Sequence, residues 1–319
     1  MLIHLCVTLK HKAMTLFEIA KHYPDEKTCK EIWKQYRDEC GVTCRRCGST
    51  AHYWKQGKEM YQCKSCGTRT SLKSGTVMHA SKLSFKDWFW TMALVTSTKN
   101  AFSAKEVQRQ LGKKRYEPVW VMMHKIRAVM GLRDDRYVLS GGVEMDEGFF
   151  STAVYGSFEL KRGKGSQRKS CVVVMAESEE VPESEHLKGK PTKRCGHFKL
   201  KMVRKMDAYT LVGMAQDHIS ETAEVTTDGL PAYNELGEFF EEHIAQKTPA
   251  KEAHKLLPWV HTAISNAKGT LRNVHRCVDE DFLGNYLNEF AFKLNRRSFD
   301  CLMPNVLTAG VHRKWNCFG

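Results

Sequence analysis

Two CxxCG motifs, Cys44 to Gly48 and Cys63 to Gly67, constrain this chain more than any other feature. In each, two thiolates can turn toward one ion while the glycine relieves the tight turn, and two such knuckles complete a tetrahedral site. Fifteen residues separate Cys47 from Cys63, room for a short hairpin and within the usual spacing for a zinc site. Cys44, Cys47, Cys63 and Cys66 are therefore expected to hold a structural Zn²⁺, with residues 41–80 forming a zinc ribbon. A redox role is the weaker reading, because neither motif sits between a strand and a helix. The remaining cysteines of the twelve show no paired spacing and read as small buried thiols.

The rest of the composition points to a polyanionic partner. Lys and Arg number 50 against 36 Asp and Glu, a formal charge of +14 spread along 319 residues. Neutralising phosphates releases condensed counterions, so such a balance suits nucleic acid. No stretch approaches the roughly 20 apolar residues needed to span a bilayer, and the opening residues lack the apolar run of a signal peptide. An intracellular, cytoplasmic setting with no membrane partner is the expectation. It agrees with reading the cysteines as metal ligands and not as disulfides.

Punctuation divides the chain into five segments. Residues 1–40 read as a loose start and two short helices broken at Pro24. After the ribbon, residues 81–135 carry two capping signatures, Ser84 with Asp87 and Ser103 with Glu106. A third helix is expected from Pro118 to a stop at Gly131. This segment resembles a helix-turn-helix. Lys113, Lys114, Arg115, His124, Lys125 and Arg127 are its candidates for contacts to DNA, although any helical hairpin with a solvated basic face has the same pattern. Residues 136–300 turn to strand-like runs at 141–156, 171–178, 197–204 and 223–228, with helices at 207–218, 231–242, 258–271 and 279–297. Between the first two strands lies a basic loop in which Lys161, Arg162, Lys164, Arg168 and Lys169 can track a nucleic-acid backbone, although a mobile solvated hairpin has the same composition. Residues 301–319 read as a tail. The fold class is thus multidomain α+β: a ribbon, a helical segment and a mixed α/β domain.

Asp146 lies inside a strand-like run and Asp228 ends another. Carboxylates on adjacent strands can hold Mg²⁺, although an Asp after a strand is more often a plain turn residue. As a set, the cysteine motifs, the stretch from Ser74 to Phe89, Val119 to Met130, Val143 to Phe150, Thr226 to Leu236, Val260 to Leu271 and Tyr286 to Arg297 resemble, in order, bacterial insertion-sequence transposases of the ISXO2-like group. These join a zinc ribbon to an RNase H-like DDE domain and are related to Merlin elements. The resemblance implies metal-dependent cleavage at terminal inverted repeats and transfer of 3′ ends into target DNA. It also implies Mg²⁺ or Mn²⁺ beside the structural zinc, double-stranded DNA as partner, action as a homo-oligomer, and association with the bacterial nucleoid. Asp146 and Asp228 match the first two acids of the family's triad.

The third acid is missing, since no Asp or Glu occurs between Pro258 and Asn273. On a helix turning about 100° per residue, His261 and Lys268 fall on one line beside the apolar stripe of Val260, Ile264, Ala267 and Leu271. His261 is therefore the choice for third ligand and Lys268 for a phosphate contact. Asn266, on another side, is a fallback. Glu289 is a further fallback, four residues from Lys293 and most simply half of an ion pair. A non-catalytic zinc-ribbon DNA-binding regulator derived from a transposase is the alternative function.

Overall fold

Thr15 and Asp25 cap the first two helices, α1 (Leu16–His22) and α2 (Glu26–Cys40), by accepting from backbone amides with their side chains. The computed structural model describes residues 15–153, 166, 168–186, 192–247, 256–299 and 302–311. It divides into two units, Met1–Arg133 with Arg296–Gly319, and Asp134–Asn295.

In the first unit the ribbon is a three-stranded antiparallel sheet of β1 (His52–Lys55), β2 (Met60–Cys63) and β3 (Arg69–Ser71). Helix α2 docks beside it. Arg37, buried, reaches the carbonyls of Ser71, Leu72 and Ser74 at 3.0, 2.7 and 3.0 Å, and Trp33 donates to Leu72 O at 3.1 Å. Helices α3 (Phe85–Ser97), α4 (Ala104–Gln110) and α5 (Glu117–Asp135) follow. The caps at Ser84 and Ser103 form as the sequence suggests. Helix α5 passes through Gly131 where a stop was expected. A mid-helix glycine costs about 1 kcal/mol, and the full burial of Val129 and Met130 beside it outweighs that. The segment expected as a tail instead supplies α9 (Met303–Val311), which packs on α2 and α3 and accepts from Val77 N at Gly310 O, 2.9 Å.

The second unit is a mixed sheet in the order β6-β5-β4-β7-β8, an RNase H-like arrangement. Strands β4 (Gly142–Ala153), β5 (Lys169–Glu180) and β6 (Lys193–Val203) are antiparallel neighbours. On the other side of β4, β7 (Glu224–Thr227) and β8 (Glu242–Ala245) run parallel to it, and the short β9 (Val278–Asp279) pairs with its far end. Residues 231–242 were expected as a helix. They form a 3₁₀ segment, Pro231–Glu238, and the chain then turns into β8, whose backbone groups pair with β7 from Glu242 on.

Side chains alternate across this sheet with period two. Val143, Met145, Val173 and Met175 meet Leu211 and Ala215 of α6 (Ala208–His218) and Tyr233 and Leu236 of the 3₁₀ segment. Phe150, Val172 and Val174 face the other way. They meet Val260, Ile264 and Ala267 of α7 (Pro258–Val274) and Leu283 and Leu287 of α8 (Glu280–Asn295). The even-numbered residues of β4, Glu144 and Asp146 among them, therefore look toward α7.

Candidate active site

The four ribbon cysteines converge with their sulfurs within 4.8 Å of one another. Cys44 Sγ lies 3.5 Å from Cys66 Sγ, and Cys47 Sγ 3.6 Å from Cys63 Sγ. A zinc tetrahedron with bonds of about 2.3 Å has edges of about 3.8 Å, so these thiols fit Zn²⁺ with slight expansion. Gly48 and Gly67, at φ of +72° and +71°, donate back to Cys44 O and Cys63 O at 2.9 and 3.0 Å. These are the left-handed positions that glycine accepts without a Cβ penalty.

The second convergence is acidic. The parallel register pairs Met145 with Thr227, so the next residues, Asp146 and Asp228, stand side by side where β7 ends. Carboxylate oxygens of Asp146, Glu147 and Asp228 lie within 4.8 Å of one another. Glu147 should point to the opposite face from Asp146. Its carboxylate nevertheless lies within 4.8 Å of those of Asp146 and Asp228. Tyr233, fully buried, donates to Glu147 at 3.2 Å, and Leu230 N donates to Asp228 at 3.0 Å. Burial and then the charge of Glu147 push the carboxyl of Asp146 up to about 7. Concentrated negative charge on hard oxygen donors is what a small divalent cation requires, so the residues fit Mg²⁺ or Mn²⁺.

His261 sits on the first turns of α7 with Nε2 3.9 Å from Asp146 Oδ2. The helix is held close by Gly148, where a Cβ would meet Phe150 Cε2 at 3.1 Å and Ile264 Cγ1 and Cδ1 at 3.2 and 3.3 Å. Two turns on, Lys268 lies over the Phe150 ring, with Nζ 5.5 Å from its centroid. Burial, with like-charged Lys169 nearby, pulls its ammonium down. Asn266 is exposed on a different side of α7. Glu289 is buried within α8, where it pairs with Lys293 at 2.9 Å, and is not among the acids that meet Asp146 within the described residues.

The structure corrects several of the expected DNA contacts. Lys125 and Arg127 are 6% and 1% exposed, and His124 is fully buried, because α5 is enclosed nearly all round. Lys125 donates to His79 O at 2.6 Å and Arg127 to Phe102 O at 3.2 Å. An interior helix cannot serve as a recognition helix with these side chains. Lys113 pairs with Asp87 at 2.8 Å, while Lys114, Arg115, Arg168 and Lys169 are exposed. Lys161, Arg162 and Lys164 lie outside the described residues. Sequence reasoning passed over Glu147. Its only sequence signal was its place directly after Asp146.

Residues 138–295 match the sequence profile of the ISXO2-like transposase domain. An "Uncharacterized protein in transposable element ISH50" from Halobacterium salinarum (strain ATCC 700922 / JCM 11081 / NRC-1) is 24% identical over 299 residues, covering 88% of this chain and 93% of that protein.

Proposed function

Because residues 138–295 match the ISXO2-like transposase domain, we propose that this chain cleaves the terminal inverted repeats of an insertion sequence and joins the freed 3′ ends to target DNA. The observation that carries this reading is the meeting of Asp146, Glu147 and Asp228 at the open end of β7, with His261 in reach of Asp146. Asp146, Asp228 and His261 would hold divalent cations, with Glu147 adding a carboxylate beside them. Such ions supply polarisation of the scissile phosphate and activation of the attacking hydroxyl.

The protein's own residues would do the rest. In the first step water attacks phosphorus and the P–O3′ bond breaks. In the second the released 3′-hydroxyl attacks a target phosphate, forming a new P–O bond while the target's P–O3′ bond breaks and leaves a 3′-hydroxyl on the target strand. Lys268, whose ammonium lies over the Phe150 ring, is proposed to steady a phosphate oxygen, and its lowered proton affinity would also let it lose a proton more readily than an ordinary lysine. Lys114, Arg115, Arg168 and Lys169 are proposed to hold the DNA backbone, with Lys161, Arg162 and Lys164 as further candidates. The ribbon is proposed to take part in end recognition. Work on two ends calls for a homo-oligomer, acting at the bacterial nucleoid.

The test is incubation of the full chain with DNA bearing the element's ends, in Mg²⁺ or Mn²⁺. Strand joining by the wild type, lost in Asp146→Asn and Asp228→Asn with end binding retained, is the expected result. Sequence-specific binding without any metal-dependent cleavage would favour instead a DNA-binding regulator, the reading suggested by the absence of an acid at position 261.

A further inference from the structure

The N-terminus of α7 is built without a cap of its own. Its N-cap is Leu257, whose side chain has no acceptor, and Pro258 at the first helical position has no N–H to offer. His261 N already reaches Leu257 O at 3.2 Å. The two donors that remain, Trp259 N and Val260 N, go to one oxygen of Glu144, at 2.8 and 3.0 Å. Glu144 is 1% exposed and lies on β4, so a strand carboxylate caps a helix more than 100 residues later.

Glu144 and Asp146 are on the same face of β4, about 6.6 to 6.8 Å apart along the strand. On the helix, Val260 and His261 are consecutive. The same short span of strand thus carries both the group that fixes the start of α7 and the carboxylate that His261 approaches to 3.9 Å. We propose that Glu144 is a positioning residue, which sets the height and rotation of α7 so that the imidazole of His261 meets Asp146. The inference rests on the proposed role of His261 for its catalytic meaning, but not for its geometry.

The substitutions separate acceptor from charge and from bulk. Glu144→Gln keeps an oxygen that can accept both amides, whereas Glu144→Leu keeps the volume and offers none. In the metal-free full chain, labelled at histidine, the His261 imidazole resonances should move in Glu144→Leu and return close to their wild-type positions in Glu144→Gln. His261→Gln identifies the signals. If the Leu variant does not fold, Glu144→Asp, one methylene shorter, should move them in the same way. With DNA and Mn²⁺, the Leu or Asp variant should lose at least tenfold in cleavage rate at saturating DNA, with DNA affinity changed less than twofold and the Gln variant within threefold of wild type.

Unmoved His261 signals in both the Leu and the Asp variants would overturn the proposal, as would a Gln variant as impaired as Leu. Resonances that move as described in a wild-type protein devoid of cleavage would support the positioning and refute the transposase reading instead.

Discussion

Gly148→Ala tests whether close approach of α7 to β4 matters to the site. The added Cβ would meet three atoms at 3.1, 3.2 and 3.3 Å, one from Phe150 and two from Ile264. Ordinary contact lies near 3.5 to 4.0 Å, so α7 must retreat by a few tenths of an ångström, and no single rotamer change relieves contacts from two elements. Replacing a strand glycine recovers roughly 0.5 to 1 kcal/mol of chain entropy, while overpacking costs typically 1 to 3 kcal/mol. A net loss of about 0 to 2.5 kcal/mol follows. His261 is three residues before Ile264 on the same helix, so it retreats too. A displacement of about 1 Å can cost 100-fold in rate, and a few tenths should cost threefold to tenfold. Ile264→Val removes the Cδ1 that the new methyl would meet. It should cost roughly 0.5 to 1.5 kcal/mol alone, and less in the Gly148→Ala background. Urea unfolding of the four proteins gives the coupling energy, and single-turnover cleavage gives the rate. Strict additivity, or a Gly148→Ala protein as stable and as fast as wild type, would refute the reasoning.

Chelation of zinc, or Cys63→Ser, should unfold the ribbon and abolish end binding, because the free energy of a structural zinc site, roughly 10 kcal/mol or more, is comparable to a whole domain's stability. Circular dichroism and gel shift with and without re-added Zn²⁺ check this. His218 on α6 sits 3.3 Å from the ammonium of Lys199, and burial, then Lys199 and Lys201, push its imidazole down to about 4 against the opposing pull of Asp135 and Asp217. The folded state therefore resists a proton that the unfolded chain takes up near pH 6.5. Stability from this group is present above that pH and is lost as pH falls toward 4, by an amount on the order of 1 to 3 kcal/mol. Denaturant midpoints from pH 7 to 4 should fall less steeply in His218→Gln, and equal slopes would count against it. Tyr233→Phe removes the hydroxyl that holds Glu147. It should cost about 1 kcal/mol in stability and weaken Mn²⁺ binding, measured by calorimetry, severalfold, while Asp146→Asn should weaken it far more.

The sequence made the ribbon and the two leading acids readable for a simple reason: their signals are local. A CxxCG knuckle needs only its own turn, and a run such as Val143 to Phe150 declares a strand by composition. The failures share the opposite property. Lys125 and Arg127 looked like an exposed basic face because charged residues are usually solvated, and only tertiary packing reveals that backbone carbonyls of His79 and Phe102 accept their hydrogen bonds. Strand β8 was hidden because its partner β7 lies outside its own window. Glu147 was hidden because alternation along a strand assigns it to the wrong face, and where β7 stops cannot be read from β4. Glu144, an acid in a strand facing a helix, reads in sequence as a misplaced charge until its two amide donors are seen.

That arrangement bears on the missing third acid. Three carboxylates already gather at the end of β7, and at close range each further negative charge is opposed by all the others. Asp146 already shows this repulsion, since Glu147 helps raise its carboxyl. A neutral imidazole at position 261 can donate a lone pair to a cation without adding a fourth charge to the cluster. Glu147 contributes the third carboxylate of that cluster from the strand itself. The absence of an acid on α7 therefore leaves a cluster of three carboxylates, with His261 Nε2 3.9 Å from Asp146.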